Sequence, residues 1–327
     1  MAVKTVIEAV REAMYEELKR DPRVFVMGED VGKRGGVFLA TRGLIEEFGE
    51  ERIIDAPLAE ASIIGVAVGA AMQGRRPIAE IQFADFFWPA VNQIIGEAAR
   101  ARYGTNGVLG IPMVIRSPYG GPVHGGLYHS QSVEAYFAHT PGLKVVCPAT
   151  PYDAKGLLKA AIRDEDPVVF LEHKRTYRLV RGEVPEEEYV LPIGVADIKR
   201  QGADITCVTY GLMLHYALEA AETLAKEGID MEVLDLRTVR PLDKETILKS
   251  VQKTAKVLIV HEDNKTGGVG AEVAAIVAEE AFGYLDAPIV RVTGPDVPAM
   301  PFSPPLEEFF MPSPDKIATA ARKLAAY

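Results

Sequence analysis

Cysteine, tryptophan and positive charge are scarce in this sequence. It has two cysteines, Cys147 and Cys207, and one tryptophan in 327 residues. With no second cysteine pair to build a metal cluster, both cysteines are predicted to be reduced residues of a core. Lysine and arginine number 36 against 46 aspartates and glutamates, which leaves a net charge of −10. Nucleic acid is therefore not an expected partner, because its binding requires cations that neutralise phosphates.

Long apolar runs and the motifs of common hydrolases are also absent. No apolar run reaches about 18 residues, the length that spans a bilayer, and the start of the chain carries the charges of Lys4, Glu8 and Arg11 rather than an apolar secretory signal. A cytoplasmic protein with no membrane partner is expected. Neither Gly-x-Ser-x-Gly nor His-Glu-x-x-His occurs, so nothing indicates a serine hydrolase or a zinc protease.

The composition is that of a folded protein large enough for two cores. Hydrophobic residues make up 48% and charged residues 25% of the chain, a composition that excludes a mainly disordered protein. At about 100 to 200 residues per domain, this length favours two domains.

Helical and strand-like patterns alternate along the first half. A capping box of Thr5 and Glu8 precedes apolar residues at helical spacing, and Asp21-Pro22 ends the pattern, which predicts a first helix. Another helix is predicted at 151–162. The polar stretch 173–195 has few core residues and is predicted to be a linker. Strand-like runs lie at 24–27, 78–83, 113–115, 145–147 and 168–171.

The alternation resumes after the predicted linker. It indicates an α/β fold, with parallel or mostly parallel sheets flanked by helices. We place the domains at 1–185 and 186–327. The stretch 294–314 holds seven prolines and is predicted to be an extended segment before a last helix. Strand-like runs of this half lie at 205–209, 231–236, 256–260 and 289–292.

Glu60 is an acidic residue at the start of an otherwise apolar stretch of small residues. An unpaired buried carboxylate is costly, so Glu60 must be paired or functional. Spacing alone favours a place at a helix N-terminus, where negative charge suits the helix dipole. Ala61, Gly65 and Gly69 recur every four residues on one helix face, which predicts a close contact with another backbone, within this chain or between chains.

An aromatic cluster follows the strand-like run at 78–83. Residues 81–89 hold four aromatic side chains, including Trp88. At the carboxyl ends of strands in open α/β sheets, such groups line ligand crevices, whereas core packing is the default for any single aromatic residue. The sequence leaves both interpretations open.

A glycine-rich loop at 117–132 is the most unusual stretch of the chain. It carries His124 and His129, two of the six histidines. Loops of this composition pack poorly in cores and often carry function, and histidine titrates near neutral pH, so a functional loop is predicted. The alternative is a surface turn with solvated histidines, and a metal site lacks a third ligand. Residues 266–270 lack the lysine of a Walker motif and are predicted to be a tight strand-to-helix turn.

Together these stretches resemble the beta subunit of the decarboxylating component of 2-oxo acid dehydrogenase complexes, which are thiamine diphosphate enzymes. The resemblance covers nearly the whole chain, and several long, spaced matches are more specific than any single motif. Residues 127–139 are most similar to the branched-chain type, with the pyruvate and acetoin types as alternatives. The matching stretches are GEDVG at 28–32, PLAE at 57–60, EIQFADF at 80–86, LYHSQS at 127–132, DLRT at 235–238 and TGG at 266–268.

The resemblance implies two three-layer α/β/α domains with mostly parallel sheets. The first, 1–185, would bind the aminopyrimidine of thiamine diphosphate. The second, 186–327, is similar to the transketolase C-terminal domain and would help to assemble a tetramer and to dock an acyltransferase core. These are the two domains that composition separates.

The resemblance also implies roles for residues of the first domain. Glu60 corresponds to the glutamate that hydrogen-bonds the pyrimidine ring nitrogen, which replaces the capping role favoured by spacing. A carboxylate there favours the imino tautomer, whose nitrogen takes the proton from the thiazolium carbon. Phe86 occupies the position that packs on the pyrimidine, often tyrosine in relatives, so stacking is kept and a hydroxyl is lost. Leu58 and Gln82 would lie beside the cofactor, and Glu29 in a polar channel linking two active sites.

Two further sites are implied by the same resemblance. His129 is similar to the histidine that assists reductive acylation of a lipoyl group, where an imidazole holds or passes the proton that the opening dithiolane needs. A structural potassium site is also expected, because hard oxygen ligands suit that ion, and Asp166 stands where some relatives have asparagine. The residues of the potassium site would be Ile111, Met113, Ala161, Asp164 and Asp166.

A missing motif implies a partner. Thiamine diphosphate enzymes anchor the diphosphate through Mg²⁺ with Gly-Asp-Gly and a later asparagine, and this chain has no Gly-Asp-Gly. Half a cofactor site is therefore expected, with an alpha subunit holding Mg²⁺ and the diphosphate in a tetramer of two alpha and two beta chains. The resemblance implies that the pair oxidatively decarboxylates a 2-oxo acid and passes the acyl group to a lipoyl domain of a dihydrolipoyl acyltransferase.

Two other classes share the alternation of strands and helices. A transketolase-like or deoxyxylulose-phosphate-synthase-like chain carries a third domain of similar size, for which 327 residues are too few. A non-catalytic subunit of the electron-transfer-flavoprotein kind would bind flavin or AMP instead of thiamine diphosphate.

Overall fold

The chain forms two compact units. The computed structural model describes all residues from Met1 to Tyr327. The first unit comprises Met1–Tyr119 and Tyr136–Ile193, and the second comprises Gly120–Ala135 and Gly194–Tyr327. The segment Gly120–Ala135 thus groups with the second unit although it lies within the sequence of the first. The domain boundary at 185–186 stays a prediction.

Strands and helices alternate in both units, as the sequence predicts. The strands are β1 (Ala2–Thr5), β2 (Val24–Gly28), β3 (Ile53–Asp55), β4 (Arg76–Glu80), β5 (Val114–Tyr119), β6 (Lys144–Val146), β7 (Val168–His173), β8 (Arg181–Val184), β9 (Asp197–Arg200), β10 (Ile205–Thr209), β11 (Met231–Asp235), β12 (Thr238–Arg240), β13 (Val257–Asn264) and β14 (Val290–Gly294). The helices are α1 (Val6–Arg20), α2 (Leu44–Phe48), α3 (Glu60–Met72), α4 (Ala101–Gly104), α5 (Glu134–Ala138), α6 (Pro151–Arg163), α7 (Thr176–Leu179), α8 (Leu212–Ala225), α9 (Lys244–Thr254), α10 (Val269–Glu280), α11 (Pro304–Phe310) and α12 (Pro314–Ala325).

The first unit contains a parallel sheet with strand order β6-β7-β5-β4-β2-β3. Gly28, the last residue of β2, pairs with Glu80 of β4 and Asp55 of β3. The carboxyl ends of these three strands therefore lie side by side, and the residues that follow them meet at one edge of the sheet.

One core of this unit lies between the sheet and helices α1 and α6. Val24 and Val26 belong to it, whereas Phe25 and Met27 do not, because successive side chains of a strand point to opposite faces. Helix α1 begins with the predicted capping box: the Glu8 amide donates to the Thr5 hydroxyl and the Thr5 amide donates to the Glu8 carboxylate.

The predicted linker at 173–195 is partly wrong. Residues 181–184 form β8, which pairs antiparallel with β1. Helix α7 precedes it and buries Thr176 and Tyr177. A short strand with one exposed face carries few apolar residues, so its sequence reads as polar even though its backbone is paired.

The second unit contains a sheet with order β14-β13-β10-β11-β9, parallel except for β9. The predicted turn between a strand and a helix is present: residues 265–268 connect β13 to α10, which begins at Val269. The proline-rich tail is not wholly extended, because Pro304 and Pro305 begin helix α11; proline is well suited to the first turn of a helix, where its missing amide hydrogen costs nothing. Both cysteines are buried and reduced, as predicted. None of the helices is long and apolar enough to cross a membrane.

Candidate active site at the carboxyl edge of the first sheet

Three of the predicted cofactor residues meet where strands β2, β3 and β4 end. Glu29 directly follows β2, Gln82 follows β4, and Glu60 is the first residue of α3, which follows β3. The Gln82 side-chain amide donates to the Glu29 carbonyl oxygen at 3.3 Å. The parallel register thus assembles one polar site from residues up to 53 positions apart in sequence.

The two carboxylates of this site influence each other. Burial raises the pKa of Glu29 above its ordinary value, and the negative charges of Asp30 and Glu60 raise it further. Glu60 is half-buried at the N-terminus of α3, where the helix dipole stabilises an ionised carboxylate. The site therefore places an ionisable acid with a raised pKa beside a carboxylate held at a helix terminus.

An aromatic group borders the same edge. The Phe86 ring is half-buried and meets the Phe83 ring edge to face, with centroids 5.6 Å apart. Phe83 in turn contacts Phe38 at 5.6 Å. Leu58 is 71% exposed. Phe86, which follows β4, and Leu58, which follows β3, thus retain accessible apolar surface that a flat apolar ligand could cover.

A buried ion cluster lies at the same end of strands β4, β5 and β7 and is not predicted from the sequence. Arg116 on β5 donates to Glu80 on β4 through Nη1 and to both oxygens of Glu172 on β7, with all three distances 2.6 Å. The Tyr177 hydroxyl donates to Glu172 at 2.5 Å. Arg116, Glu80 and Glu172 are at most 5% exposed. One guanidinium therefore fastens the ends of three neighbouring strands.

The electrostatics of the cluster follow from burial. Burial raises the pKa of Glu80, and the Arg116 charge opposes that shift. Arg116 itself has its pKa raised because the two carboxylates outweigh the cost of its burial. The sequence holds one signal, since each of these charges interrupts or ends an apolar strand-like run, but the pairing of Glu80 with Arg116 is visible only in the strand register. Such charges must be paired when buried.

His129 lies in the second unit. It follows a short 3₁₀ helix, Gly126–Tyr128, and is half-buried. It belongs to the segment Gly120–Ala135, whose hydrogen bonds include partners in the second unit. The structure thus assigns His129 and Glu60 to different units.

The five predicted potassium residues lie at the opposite edge of the first sheet, where β5 and β7 begin. The Asp164 carboxylate accepts from Lys144 Nζ at 2.7 and 2.6 Å, and Asp166 pairs with Arg102. The chain has no cluster of three or more His, Cys, Asp or Glu arranged to hold a metal ion. Because both carboxylates already bind protein cations, a potassium ion here would depend on main-chain oxygens.

Comparisons with known proteins agree with this architecture. Residues 3–180 match the family described as "Transketolase, pyrimidine binding domain", and residues 194–317 match "Transketolase, C-terminal domain". The chain is 63% identical to the 2-oxoisovalerate dehydrogenase subunit beta of Bacillus subtilis (strain 168) over 327 residues, which is 100% of both chains. It is 49% identical to the pyruvate dehydrogenase E1 component subunit beta of the same organism, again over the full length of both.

A solved structure shows the same fold. The chain titled "Split gene transketolase, inactive beta4 tetramer" superposes with a TM-score of 0.81 at 26% identity, covering 98% of each chain. These matches decide against the electron-transfer-flavoprotein alternative. The chain belongs to the family of 2-oxo acid dehydrogenase beta subunits, which are built from a transketolase pyrimidine-binding domain followed by a transketolase C-terminal domain.

Proposed function

We propose that this chain is the beta subunit of a branched-chain 2-oxo acid dehydrogenase and that Glu60 is its catalytic carboxylate. With an alpha subunit, it would oxidatively decarboxylate the 2-oxo acid and transfer the acyl group to a lipoyl domain of an acyltransferase core in the cytoplasm. The observation that carries the proposal is the meeting of Glu60, Glu29 and Gln82 at one sheet edge, in a chain 63% identical over its length to a 2-oxoisovalerate dehydrogenase beta subunit.

The residues at this edge fit the pyrimidine half of thiamine diphosphate. An aminopyrimidine presents a flat ring, a ring nitrogen that a carboxylate can hydrogen-bond, and an exocyclic amine. The half-buried Glu60 carboxylate would supply the acceptor and Phe86 an accessible aromatic face, and the Gln82 side-chain amide donates to the Glu29 carbonyl at the same sheet edge. When bound, the cofactor supplies the nucleophile and the electron sink for decarboxylation.

The chain's own residues would hold and move protons. As a carboxylic acid, Glu60 would donate a hydrogen bond to the unprotonated ring nitrogen, and as a carboxylate it would accept one from the protonated ring nitrogen, so that a proton moves along this bond. Glu29, whose raised pKa favours its neutral form, could take up or release a proton next to Glu60. Leu58 and Phe86 would exclude water from the ring face.

The diphosphate and Mg²⁺ would come from the alpha subunit. The first unit offers no Gly-Asp-Gly to hold them. The C-terminal part of helix α3 leaves room for another chain: Val66 is 57% exposed, and a methyl group added at Gly69 would meet no atom within 4 Å, whereas one added at Gly65 would lie 3.6 Å from Cγ of Gln93 in this chain. The predicted close approach of another backbone to this helix face is therefore expected from a partner chain, in a tetramer of two alpha and two beta subunits.

A potassium ion at the amino edge of the sheet remains a further proposal. The carbonyl oxygens of Ile111, Met113 and Ala161 each accept one main-chain hydrogen bond, at 2.8, 3.0 and 3.3 Å, and a carbonyl oxygen has a second lone pair for a cation. The Asp164 and Asp166 carboxylates would contribute only by exchanging their Lys144 and Arg102 partners. Thermal unfolding in KCl and in NaCl at equal ionic strength tests this site. If potassium binds there, the midpoint temperature of unfolding is higher in KCl than in NaCl.

Substitution of Glu60 tests the catalytic assignment. Glu60→Gln, co-produced with the alpha subunit, is expected to assemble normally and to lose decarboxylation by roughly a hundredfold or more, as expected for removal of a positioned proton carrier. Decarboxylation is measured with an artificial electron acceptor, which bypasses the lipoyl domain. Glu50→Gln changes an exposed glutamate of the same unit and serves as the matched control. Near wild-type turnover by Glu60→Gln would remove Glu60 from the mechanism.

Calorimetry tests the division of the cofactor site. Thiamine diphosphate with Mg²⁺ is titrated into the chain alone and into the chain with its alpha subunit. Weak binding alone and tight binding with the partner are expected. Tight binding by the lone chain would contradict the half-site proposal.

The 49% identity to a pyruvate dehydrogenase beta subunit keeps pyruvate as a second candidate substrate. The ratio of kcat/KM for 2-oxoisovalerate to that for pyruvate separates the two. A preference for the branched substrate supports the first proposal, and a preference for pyruvate would replace it.

A further inference from the structure

The segment Gly120–Ala135, which we call the histidine loop, is covalently part of the first half of the chain but groups with the second unit. It contains Gly120, Gly121, Gly125 and Gly126 and carries both His124 and His129. Glycine gives a loop large conformational freedom, so the loop cannot hold an imidazole in one place by its own backbone preferences. Its position must come from contacts with the rest of the second unit.

Glu262 on β13 fastens the beginning and the end of the loop. Its Oε1 accepts the Gly121 amide at 2.5 Å and lies 3.5 Å from the Ser132 hydroxyl. Glu262 is 4% exposed. A hydrogen bond from an amide to an ionised carboxylate is stronger than one between neutral groups. This carboxylate therefore draws together two points of the loop that are 11 residues apart in sequence.

Glu307 on α11 fastens the middle of the loop. Its Oε1 accepts the His124 amide at 2.9 Å, and its Oε2 lies 2.5 Å from Nδ1 of the same histidine. Glu307 is 1% exposed. His124 has a φ of 54°, in the left-handed region that non-glycine residues rarely adopt. A two-point contact with one buried carboxylate accounts for a backbone conformation that His124 would not prefer by itself.

The fastened backbone lies directly against His129. A Cβ atom added at Gly125 would lie 2.7 Å from His129 Cβ and 2.8 Å from its carbonyl oxygen. Gln131 closes the loop, since its carbonyl accepts the Gly120 amide at 3.0 Å and its side-chain oxygen accepts the Met300 amide at 3.3 Å. A shift of residues 121–125 would therefore be transmitted to the imidazole of His129.

We propose that Glu262 and Glu307 are positioning residues, which hold the histidine loop so that His129 is presented in one orientation for acyl transfer to the lipoyl group. The role of His129 rests on the proposed function. The two carboxylates act through the loop and touch no reacting atom. Their contribution is thus expected in lipoyl acylation and in the mobility of the loop, but not in decarboxylation itself.

The test uses the full chain assembled with its alpha subunit. Glu307→Gln keeps the size of the side chain and an acceptor for the His124 amide, but its NH₂ group cannot accept from Nδ1–H, so the charged contact with the imidazole is lost. Glu262→Gln weakens the bond to the Gly121 amide and serves as a second variant should the first fail to fold. Glu308→Gln alters the exposed neighbour of Glu307 in the same helix and is the matched control.

Two readouts are taken from each variant. Hydrogen exchange of amides 121–132 is expected to be about tenfold faster in Glu307→Gln and unchanged in Glu308→Gln, as expected for loss of one hydrogen bond to a charged group. The rate of lipoyl-domain acylation, divided by the rate of decarboxylation with an artificial acceptor, is expected to fall by about tenfold for the same reason. His129→Ala lowers the same ratio, and the double variant His129→Ala/Glu307→Gln falls no further.

The outcomes separate this inference from the proposed function. Unchanged exchange in both glutamine variants would overturn the anchoring of the loop. Faster exchange with an unchanged acylation ratio, while His129→Ala lowers that ratio, would make the carboxylates structural only and overturn the positioning role. If His129→Ala leaves the ratio of acylation to decarboxylation unchanged, His129 has no role in lipoyl acylation. The positioning role of Glu262 and Glu307 is then overturned, even where hydrogen exchange shows that they anchor the loop. Absence of any decarboxylation by the wild-type tetramer refutes the proposed function, and the exchange data still decide whether Glu262 and Glu307 anchor the loop.

Discussion

The buried cluster around Arg116 allows a quantitative prediction. Arg116→Met removes the guanidinium but keeps much of the side-chain volume. It leaves Glu80 and Glu172, which are 5% and 0% exposed, without the cation that makes three 2.6 Å contacts to them. Breaking a buried ion pair by removing one partner costs about 3–5 kcal/mol. We expect Arg116→Met to destabilise the first unit by that amount at neutral pH.

The loss should depend on pH in a defined direction. Without Arg116, burial and the charge of Glu172 both raise the pKa of Glu80, with nothing of similar strength to oppose them. A carboxyl group whose folded pKa lies above its unfolded value contributes stability below the unfolded pKa and loses it as pH rises through the folded pKa. The deficit of Arg116→Met should therefore be largest near pH 8 and shrink as the pH falls toward 5.

Urea unfolding at the two pH values measures this deficit. Fluorescence of Trp88, the only tryptophan, reports on the first unit. Arg34→Met is the control, because Arg34 is 76% exposed and makes a surface ion pair with Asp30, whose loss should cost at most about 1 kcal/mol. Equal deficits for the two variants, or a deficit of Arg116→Met that grows in acid, would refute the reasoning. Tyr177→Phe is the second variant if Arg116→Met does not fold. It removes one hydrogen-bond donor to Glu172 and should lower the free energy of unfolding by about 1–2 kcal/mol.

Three further predictions concern the candidate site, the partner surface and the cysteines. Glu29→Gln removes an acid whose pKa is raised by burial and by neighbouring carboxylates. Urea unfolding should show a higher free energy of unfolding than wild type at pH values above the folded pKa of Glu29, and no difference in acid. A lower free energy of unfolding at neutral pH would contradict this. Gly69→Ala should stabilise the isolated chain by about 1 kcal/mol through helix propensity, because the added methyl group meets no atom within 4 Å. With the alpha subunit present, a smaller fraction of this variant should sediment as a tetramer. Unimpaired assembly would exclude this helix face as the interface. Cys147 and Cys207 are buried, and burial raises the pKa of Cys207 to about 12, so neither should react with a thiol reagent at pH 8 until the chain unfolds, and rapid labelling of the native protein would contradict their placement.

The local features of the fold were predictable because short-range interactions produce them. The capping box of Thr5 and Glu8 and the apolar spacing after it predict α1, and the helix runs from Val6 to Arg20. The apolar runs predict the central strands for the same reason. The two polar strands β8 and β9 and the helix α11 were not predicted, because each forms a regular backbone from residues whose side chains stay largely outside a core.

The candidate site was predictable only in part. The resemblance of short stretches points to Glu29, Glu60 and Gln82, and the parallel pairing of β2 with β3 and β4 brings them to one edge. The role of each residue stays a prediction until the variants are measured. Arg116, Glu80 and Glu172 were missed, since no local pattern says which buried charge will meet which.

The amino-acid sequence is enough to identify a two-domain α/β chain of a thiamine diphosphate family, and it leads to the proposal that the chain holds half of a cofactor site. Those conclusions rest on local periodicity, on several spaced motifs and on the missing Gly-Asp-Gly, all of which are properties of neighbouring residues. The sequence does not predict that β1 pairs with β8, that one arginine joins three strands, or that the histidine loop belongs to the second unit; these features are seen in the folded chain. These contacts join residues far apart in sequence, and they form because the packing of the sheets brings buried polar groups within reach of the partners that they require.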